Sequence, residues 1–226
     1  MENLLSLYLG IDVAGAKNTW FAALSDDGAQ LKLAMTPHIA TLPDIVAFTN
    51  DHDVLAAAID AQLSIAMSNL TGFRSADTEL RELLPPHHRN WVASVNSLMA
   101  VPIRGQMLAD AISPSVATII ETHPRASLYF GCPPDHQESI ANYKREPGAA
   151  ECVRNLWAYW SAEFGLTDPL GNDSDGALDA VVCATIAYLC HNDPSRLFRL
   201  RHNAVDRRGH GPFYILHPDQ RPNAGT

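Results

Sequence analysis

Leu5-Ser6-Leu7-Tyr8-Leu9-Gly10-Ile11-Asp12-Val13-Ala14-Gly15 is a largely apolar run that closes on one carboxylate and a set of small residues. The run predicts a core strand, and Thr19-Trp20-Phe21-Ala22-Ala23-Leu24 reads as its hairpin partner. An ionised Asp is costly to bury unpaired, so Asp12 belongs at the exposed end of a central strand, where a metal ion or another polar group reaches it. Two later runs repeat the design: Val54-Leu55-Ala56-Ala57-Ala58-Ile59-Asp60 and Ser115-Val116-Ala117-Thr118-Ile119-Ile120-Glu121 are apolar and end on an acid. The three alanines favour helix on propensity, but a continuous apolar run also suits a strand buried on both faces, and we read it as a strand.

Working outward, Asn18 to Leu24 and Gln30 to Met35 extend the first strand into an antiparallel meander around the Asp26-Asp27-Gly28 turn. Ile39 to Thr49 reads as a helix with Thr41 as N-cap and Asp44 in the capping-box position. Ala61 to Gly72 shows no period. Ser75 to Leu84 is a helix that Ser75 can cap and Pro85-Pro86 stops, and Trp91 to Val95 reads as a short strand. Helices are expected over Pro102 to Ala111, over one or two turns at Ala126 to Phe130, and over His136 to Lys144 and Val153 to Phe164. The clearest helix, Asp175 to Cys190, opens at a polar turn and draws one apolar face from Leu178, Val181, Val182, Ile186 and Leu189. Residues 1–198 are expected to form one domain, and 199–226 a basic C-terminal extension with Phe213 to Leu216 as an edge strand.

A chain of 226 residues can bury a substantial core. Its net charge of -9, from 25 acids against 16 Lys and Arg, repels nucleic acid over the surface as a whole; a local arginine-lined groove, or a metal that reverses the local field, is still compatible with it. The four cysteines show no zinc-ligand spacing or disulfide framework and read as reduced thiols. No apolar run reaches the ~18 residues of a membrane span, and the N-terminus lacks signal-peptide features, so no membrane partner and a cytoplasmic location are expected.

Asp12, Asp60 and Glu121 each end a predicted strand, and Asp175 and Asp179 lie four apart at the start of a helix. In an open α/β sheet the strand C-termini share one crevice, into which a helix packed across the sheet presents an i,i+4 pair. Carboxylates that close repel one another unless cations, arginines or protons neutralise them. Hard oxygen ligands suit Mg²⁺ or Mn²⁺, and two such ions can activate a water and stabilise the leaving oxygen of a phosphodiester. Singly, each acid has an ordinary reading: Asp12 as a turn residue, Asp60 as a loop cap, Asp175 as a charge favoured by the helix dipole. Asp179, between Leu178 and Ala180 in an apolar helix, is hardest to dismiss.

Gly10-Ile11-Asp12, Ile59-Asp60-Ala61 followed by Arg74-Ser75-Ala76-Asp77 and Arg81, Glu121-Thr122-His123-Pro124, and Asp179-Ala180 together resemble the motifs of the DUF429 proteins, an uncharacterised family of predicted nucleases with a ribonuclease H-like fold. The resemblance runs from the first strand to about Cys190. It implies an α/β fold with a mixed five-stranded sheet in the order 3-2-1-4-5, flanked by helices, and an acidic metal site at the central strand. Asp12, Asp60, Glu121 and Asp179 then correspond to the catalytic, metal-holding carboxylates, with Asp175 a substitute or further ligand. One departure is the loop Gln62-Leu63-Ser64-Ile65-Ala66-Met67, where the family pattern has a proline soon after the Asp. Arg74, Arg81, Arg125 and Lys144-Arg145 can serve a phosphate backbone or offset the acids; their plain reading is surface ion pairing. His123 can exchange a proton near Glu121 or merely shape the turn before Pro124.

The leading expectation is a divalent-metal-dependent nuclease that hydrolyses DNA or RNA. A nucleotide-binding or phosphotransfer protein on the same scaffold is the alternative; the acidic surface favours small ligands, although Gly10 to Gly15 is no Walker loop. A third class is a non-catalytic assembly protein or homo-oligomer with Trp157, Trp160, Phe213 and Tyr214 at an interface, which their solvent exposure distinguishes from core packing.

Overall fold

The computed structural model describes residues 6–15, 17–28, 30–66, 70–98, 100–201 and 206–222. Strands β1 (Leu7–Asp12), β2 (Trp20–Asp26) and β3 (Leu31–Ile39) form the expected meander, paired antiparallel in sequence order. Helix α1 (Leu42–Asp51) follows with its capping box complete: the Asp44 N–H donates to Thr41 Oγ1 at 3.3 Å, and the Thr41 N–H donates to Asp44 Oδ2 at 3.0 Å. Strand β4 (Val54–Asp60) runs parallel to β1. Its alanines therefore serve a strand, and Ala56, Ala57 and Ala58 are fully buried between helix layers on both faces. Tertiary burial has overridden their helix propensity.

The chain continues through β5 (Ser64–Ala66), α2 (Ser75–Leu83), α3 (Val95–Leu98), α4 (Ala100–Ile112) and β6 (Thr118–Thr122). After these come α5 (Pro124–Gly131), α6 (Gln137–Asn142), α7 (Ala149–Phe164) and α8 (Asp175–Asn192). Three short strands follow, β7 (Leu197–Arg199), β8 (Asp206–Gly209) and β9 (Phe213–Leu216).

The main sheet is mixed and begins 3-2-1-4 as expected, but it has seven strands rather than five, in the order β3-β2-β1-β4-β6-β9-β7. Phe213 to Leu216, expected at an edge, lies inside the sheet, parallel to β6 and antiparallel to β7. Its partners on β6 are Glu121 and Thr122, far away in sequence, so no local pattern announces that pairing. Trp91 to Val95 is not a strand. Pro86 opens a 3₁₀ turn over Pro86–Trp91, and α3 begins at Val95. Arg74, not Ser75, takes the N-cap position of α2, where its N–H donates to Asp77 Oδ2 at 2.9 Å.

The two faces of the sheet follow the period-2 alternation of the strands. Leu9, Ile11, Ala57, Ile59 and Ile119 face a core closed by α1 and α4, while Tyr8, Ala56, Ala58 and Ile120 face the core of α2, α5, α7 and α8. Helix α8 was expected to be amphipathic, yet Gly176 through Ala187 are all buried. The sheet covers one side and α7 the other, with Trp160 Nε1 donating to Thr185 Oγ1 at 3.1 Å. A helix enclosed this way needs apolar residues all round, so a lone carboxylate within it has to be accounted for.

Candidate metal centre

Gly10 decides how close α8 comes to β1. A Cβ built there would sit 1.9 Å from the Ala180 carbonyl oxygen and 2.2 Å from the Ala184 amide nitrogen. With no side chain in the way, the helix backbone rests directly on the strand. Gly10 and Asp12 share a strand face, and so do Ala58 and Asp60, with Asp12 opposite Asp60 in the parallel register. The close helix carries Asp179 onto that pair. Ligand oxygens of Asp12, Asp60 and Asp179 thus all lie within 4.8 Å of one another.

Asp179 is fully buried; Tyr143 Oη donates to its Oδ1 at 2.8 Å and the Lys144 ammonium is paired with its Oδ2. No hydrogen bond from a described residue reaches the half-buried Asp12 or Asp60 carboxylate. Burial, then the nearby Asp179 and Asp60 charges, pushes Asp12 well above the usual carboxylate range, against the pull of Lys144. Asp60 is pushed up to about 7, chiefly by burial, with Lys144 opposing and Asp179 and Glu121 adding to the rise. Lys144 is raised as well: the acids around it, led by Asp179, outweigh its own desolvation.

This donor set fits a hard divalent cation. All three groups offer carboxylate oxygen, and two of them have unused lone pairs. Once all three acids have lost their protons, three carboxylates and one ammonium carry a net charge of −2, which one Mg²⁺ or Mn²⁺ would balance. The oxygens also lie close enough together for one ion to bridge them.

Glu121, expected to end its strand, is the penultimate residue of β6, which closes on Thr122, and it lies outside this trio. It pairs with Ile59 in the β4–β6 register and so shares the α4 face with Ile119 and Ile59. There Arg74 holds it, with Nη1 donating to Oε2 at 2.7 Å, and the Leu63 N–H donates to the same oxygen at 2.9 Å. Arg74, 2% exposed, also bonds Asp77 through Nη2 at 2.6 Å, so its charge is committed to two buried acids. Asp175 is the half-buried first residue of α8; it stands apart from the trio, though its charge adds to the rise at Asp12. Arg81 donates to the carbonyls of Arg89 and Val92 and lies over Phe73.

His123 has neither ring nitrogen to spare. Nδ1 accepts from the Ala126 N–H at 3.2 Å as the cap of α5, which leaves the proton on Nε2 to donate to the Trp91 carbonyl at 3.2 Å. Burial holds its pKa below the ordinary histidine value, keeping the ring neutral. Arg125 stacks its guanidinium 4.1 Å from the Trp91 ring centroid and donates to the carbonyls of Ile140 and Ala141.

A cleft of about 220 Å³ opens beside the trio, with Asp60, Lys144, Arg125, Thr122, Gln62 and Trp91 among its lining residues. Tyr143, Gln62 and Thr122 escape sequence reasoning, and so does the close approach at Gly10. Counting strand parity from Asp60 would have found Thr122, the β6 residue on the face of Ile120. Nothing local marks Tyr143. Trp160 and Phe213 are buried and Trp157 and Tyr214 half-buried, which is core packing rather than an exposed interface.

Fold and site define an α/β protein whose central sheet and one buried helix assemble a carboxylate site suited to a divalent cation. A family model described as "Protein of unknown function (DUF429)" matches residues 10–114. The match contains Asp12 and Asp60 but ends before Lys144 and Asp179, short of the Cys190 limit of the motif resemblance. No curated protein and no solved structure matches the chain. Among the described residues no helix is long and apolar enough to cross a membrane.

Proposed function

We propose that this protein is a divalent-metal-dependent hydrolase of phosphodiester bonds in nucleic acid. The observation that carries the reading is the convergence of Asp12, Asp60 and Asp179 oxygens within 4.8 Å at the C-terminal rim of two adjacent parallel strands. A divalent cation held by these three residues would supply Lewis acidity toward water and phosphate oxygens. Lys144 brings a positive charge to the same point and lowers the repulsion among the acids. Tyr143 fixes the orientation of Asp179 by its hydrogen bond to Oδ1. Glu121 acts as a positioning residue: joined to Arg74 and the Leu63 N–H, it ties the rim of β6 to the segment that leaves β4. In the overall reaction water oxygen forms the new bond to phosphorus, the phosphorus–oxygen bond to the sugar breaks, and the departing oxygen takes up the proton that the water gives up.

The test is cleavage of single- and double-stranded DNA and RNA oligonucleotides with Mg²⁺ or Mn²⁺. Wild-type protein is expected to cut at least one of them and to stop on addition of EDTA, with Asp60→Asn at least ~100-fold slower. Cleavage that survives EDTA, or an Asp60→Asn variant of undiminished rate, would refute the proposal.

A further inference from the structure

We infer that the cleft beside Asp60 is a subsite for one nucleotide unit, with Arg125 placed for the phosphate and Gln62 and Thr122 for sugar or base hydrogen-bonding groups. The inference takes its substrate class from the phosphodiester reading above. Three unmet groups line this one cleft. Arg125 is half-buried and has no carboxylate within ion-pairing distance among the described residues; its Nε and Nη2 donate to the Ile140 and Ala141 carbonyls at 3.0 and 2.7 Å and its plane lies on the Trp91 ring, which leaves Nη1 without a hydrogen-bond partner among the described residues. The neighbouring cations are already engaged, Arg74 by Glu121 and Asp77, Lys144 by Asp179. Thr122 is 1% exposed and its Oγ1 has no hydrogen-bond partner. Gln62 is 7% exposed; its Nε2 donates to the Ala93 carbonyl at 3.1 Å while its Oε1 is unpartnered.

Buried polar groups are nearly always satisfied, and two orphans lining one cleft point to a ligand that completes them. Gln62 Oε1 asks for an N–H or O–H donor, Thr122 Oγ1 takes either role, and Arg125 asks for an anion. A nucleotide brings all three kinds of group. Val92, Leu98 and Val101 supply an apolar wall against which a base can lie. At about 220 Å³ the cleft falls just under the ~300–1,000 Å³ of ordinary small-molecule sites, which suits one unit. Asp60 and Lys144 belong to its wall, so a unit seated there has its phosphate end beside the trio.

The experiment is calorimetric titration of the full chain in EDTA, which removes any dependence on metal. The probes are inorganic phosphate, the four ribonucleosides, the four ribo- and four deoxyribonucleoside 5′-monophosphates, and a 5′-phosphorylated trinucleotide. At least one monophosphate is expected to bind ten or more times tighter than phosphate or its own nucleoside. Thr122→Val, which removes only an orphan hydroxyl, should keep the wild-type melting temperature or raise it while weakening that monophosphate about five- to tenfold. Arg125→Gln should bring the monophosphate down to the affinity of the nucleoside. Monophosphates no tighter than phosphate, or full affinity in Thr122→Val, would overturn the inference. A trinucleotide bound more than tenfold tighter than the monophosphate would overturn the single-unit size. Monophosphate binding without oligonucleotide cleavage defeats the hydrolase reading alone, and cleavage without monophosphate binding defeats the subsite alone.

Discussion

Replacing Gly10 with alanine tests how the site is assembled. The added Cβ would lie 1.9 Å from the Ala180 oxygen and 2.2 Å from the Ala184 nitrogen, against an ordinary contact of 3.4 Å or more, so α8 must retreat by about 1.5 Å. Both obstacles are helix backbone, which no rotamer change moves aside. Overpacking costs ~1–3 kcal/mol in general and belongs at the upper end here, which lowers the melting temperature by roughly 6–12 °C for a chain of this size. In a strand without such contact, Gly→Ala would instead stabilise by roughly 0.5–1 kcal/mol, so the sign alone is informative. The retreat also draws Asp179 away from Asp12 and Asp60, and Mn²⁺ affinity should fall more than tenfold even below the melting transition. Circular dichroism melts with and without Mn²⁺, together with calorimetric titration at 20 °C, measure both effects. A Gly10→Ala protein that melts within 2 °C of wild type and binds Mn²⁺ equally well would mean that the strand–helix approach at Gly10 does not set the site.

Asp60, raised by burial to about 7 from the ordinary 3.8, retains a proton in the folded state that the unfolded chain releases. Metal-free stability therefore falls as pH rises between those values, by up to about 4 kcal/mol, with Asp12 acting in the same direction and the facing Asp179, Glu121 and Lys144 setting the balance. In EDTA the melting temperature should drop from pH 5 to pH 8, and Asp60→Asn should be the more stable protein at pH 8; a flat wild-type profile contradicts this. Glu121→Gln weakens a buried pair with Arg74, and urea unfolding should show a loss of about 3 kcal/mol, whereas less than 1 kcal/mol would mean the pair is not as the contacts describe. Lys144→Met removes the one ammonium on the trio and should tighten Mn²⁺ binding about tenfold at pH 8, an effect that unchanged titration curves would rule out.

The elements that were legible are those whose signals are local. Thr41 and Asp44 announce α1 by side-chain chemistry within four residues, and Asp12 and Asp60 stand at strand ends because an apolar run followed by an acid has few other uses. Glu121 shows where that reasoning stops. The position at a strand end is legible, but the face depends on register, and one residue of parity sends Glu121 to Arg74 and leaves Thr122 on the side of Asp60. The seventh-strand architecture was hidden for a different reason: β9 is short, and its place beside β6 comes from backbone pairing across about ninety residues. Asp179 was visible as an anomaly in an apolar helix, while Tyr143 and Lys144, its partners, sit where an expected helix ends and gave no sign of reaching it.

If Asp12, Asp60 and Asp179 jointly hold a divalent ion, Mn²⁺ should occupy the rim between them. Anomalous diffraction from crystals soaked in Mn²⁺, collected for wild type and Asp12→Asn, tests it most directly. A manganese peak is expected within about 2.0–2.6 Å of oxygens from all three residues in the wild type, and is expected to be lost in the variant. A peak at other residues, or none at this rim in crystals saturated with Mn²⁺, would contradict it.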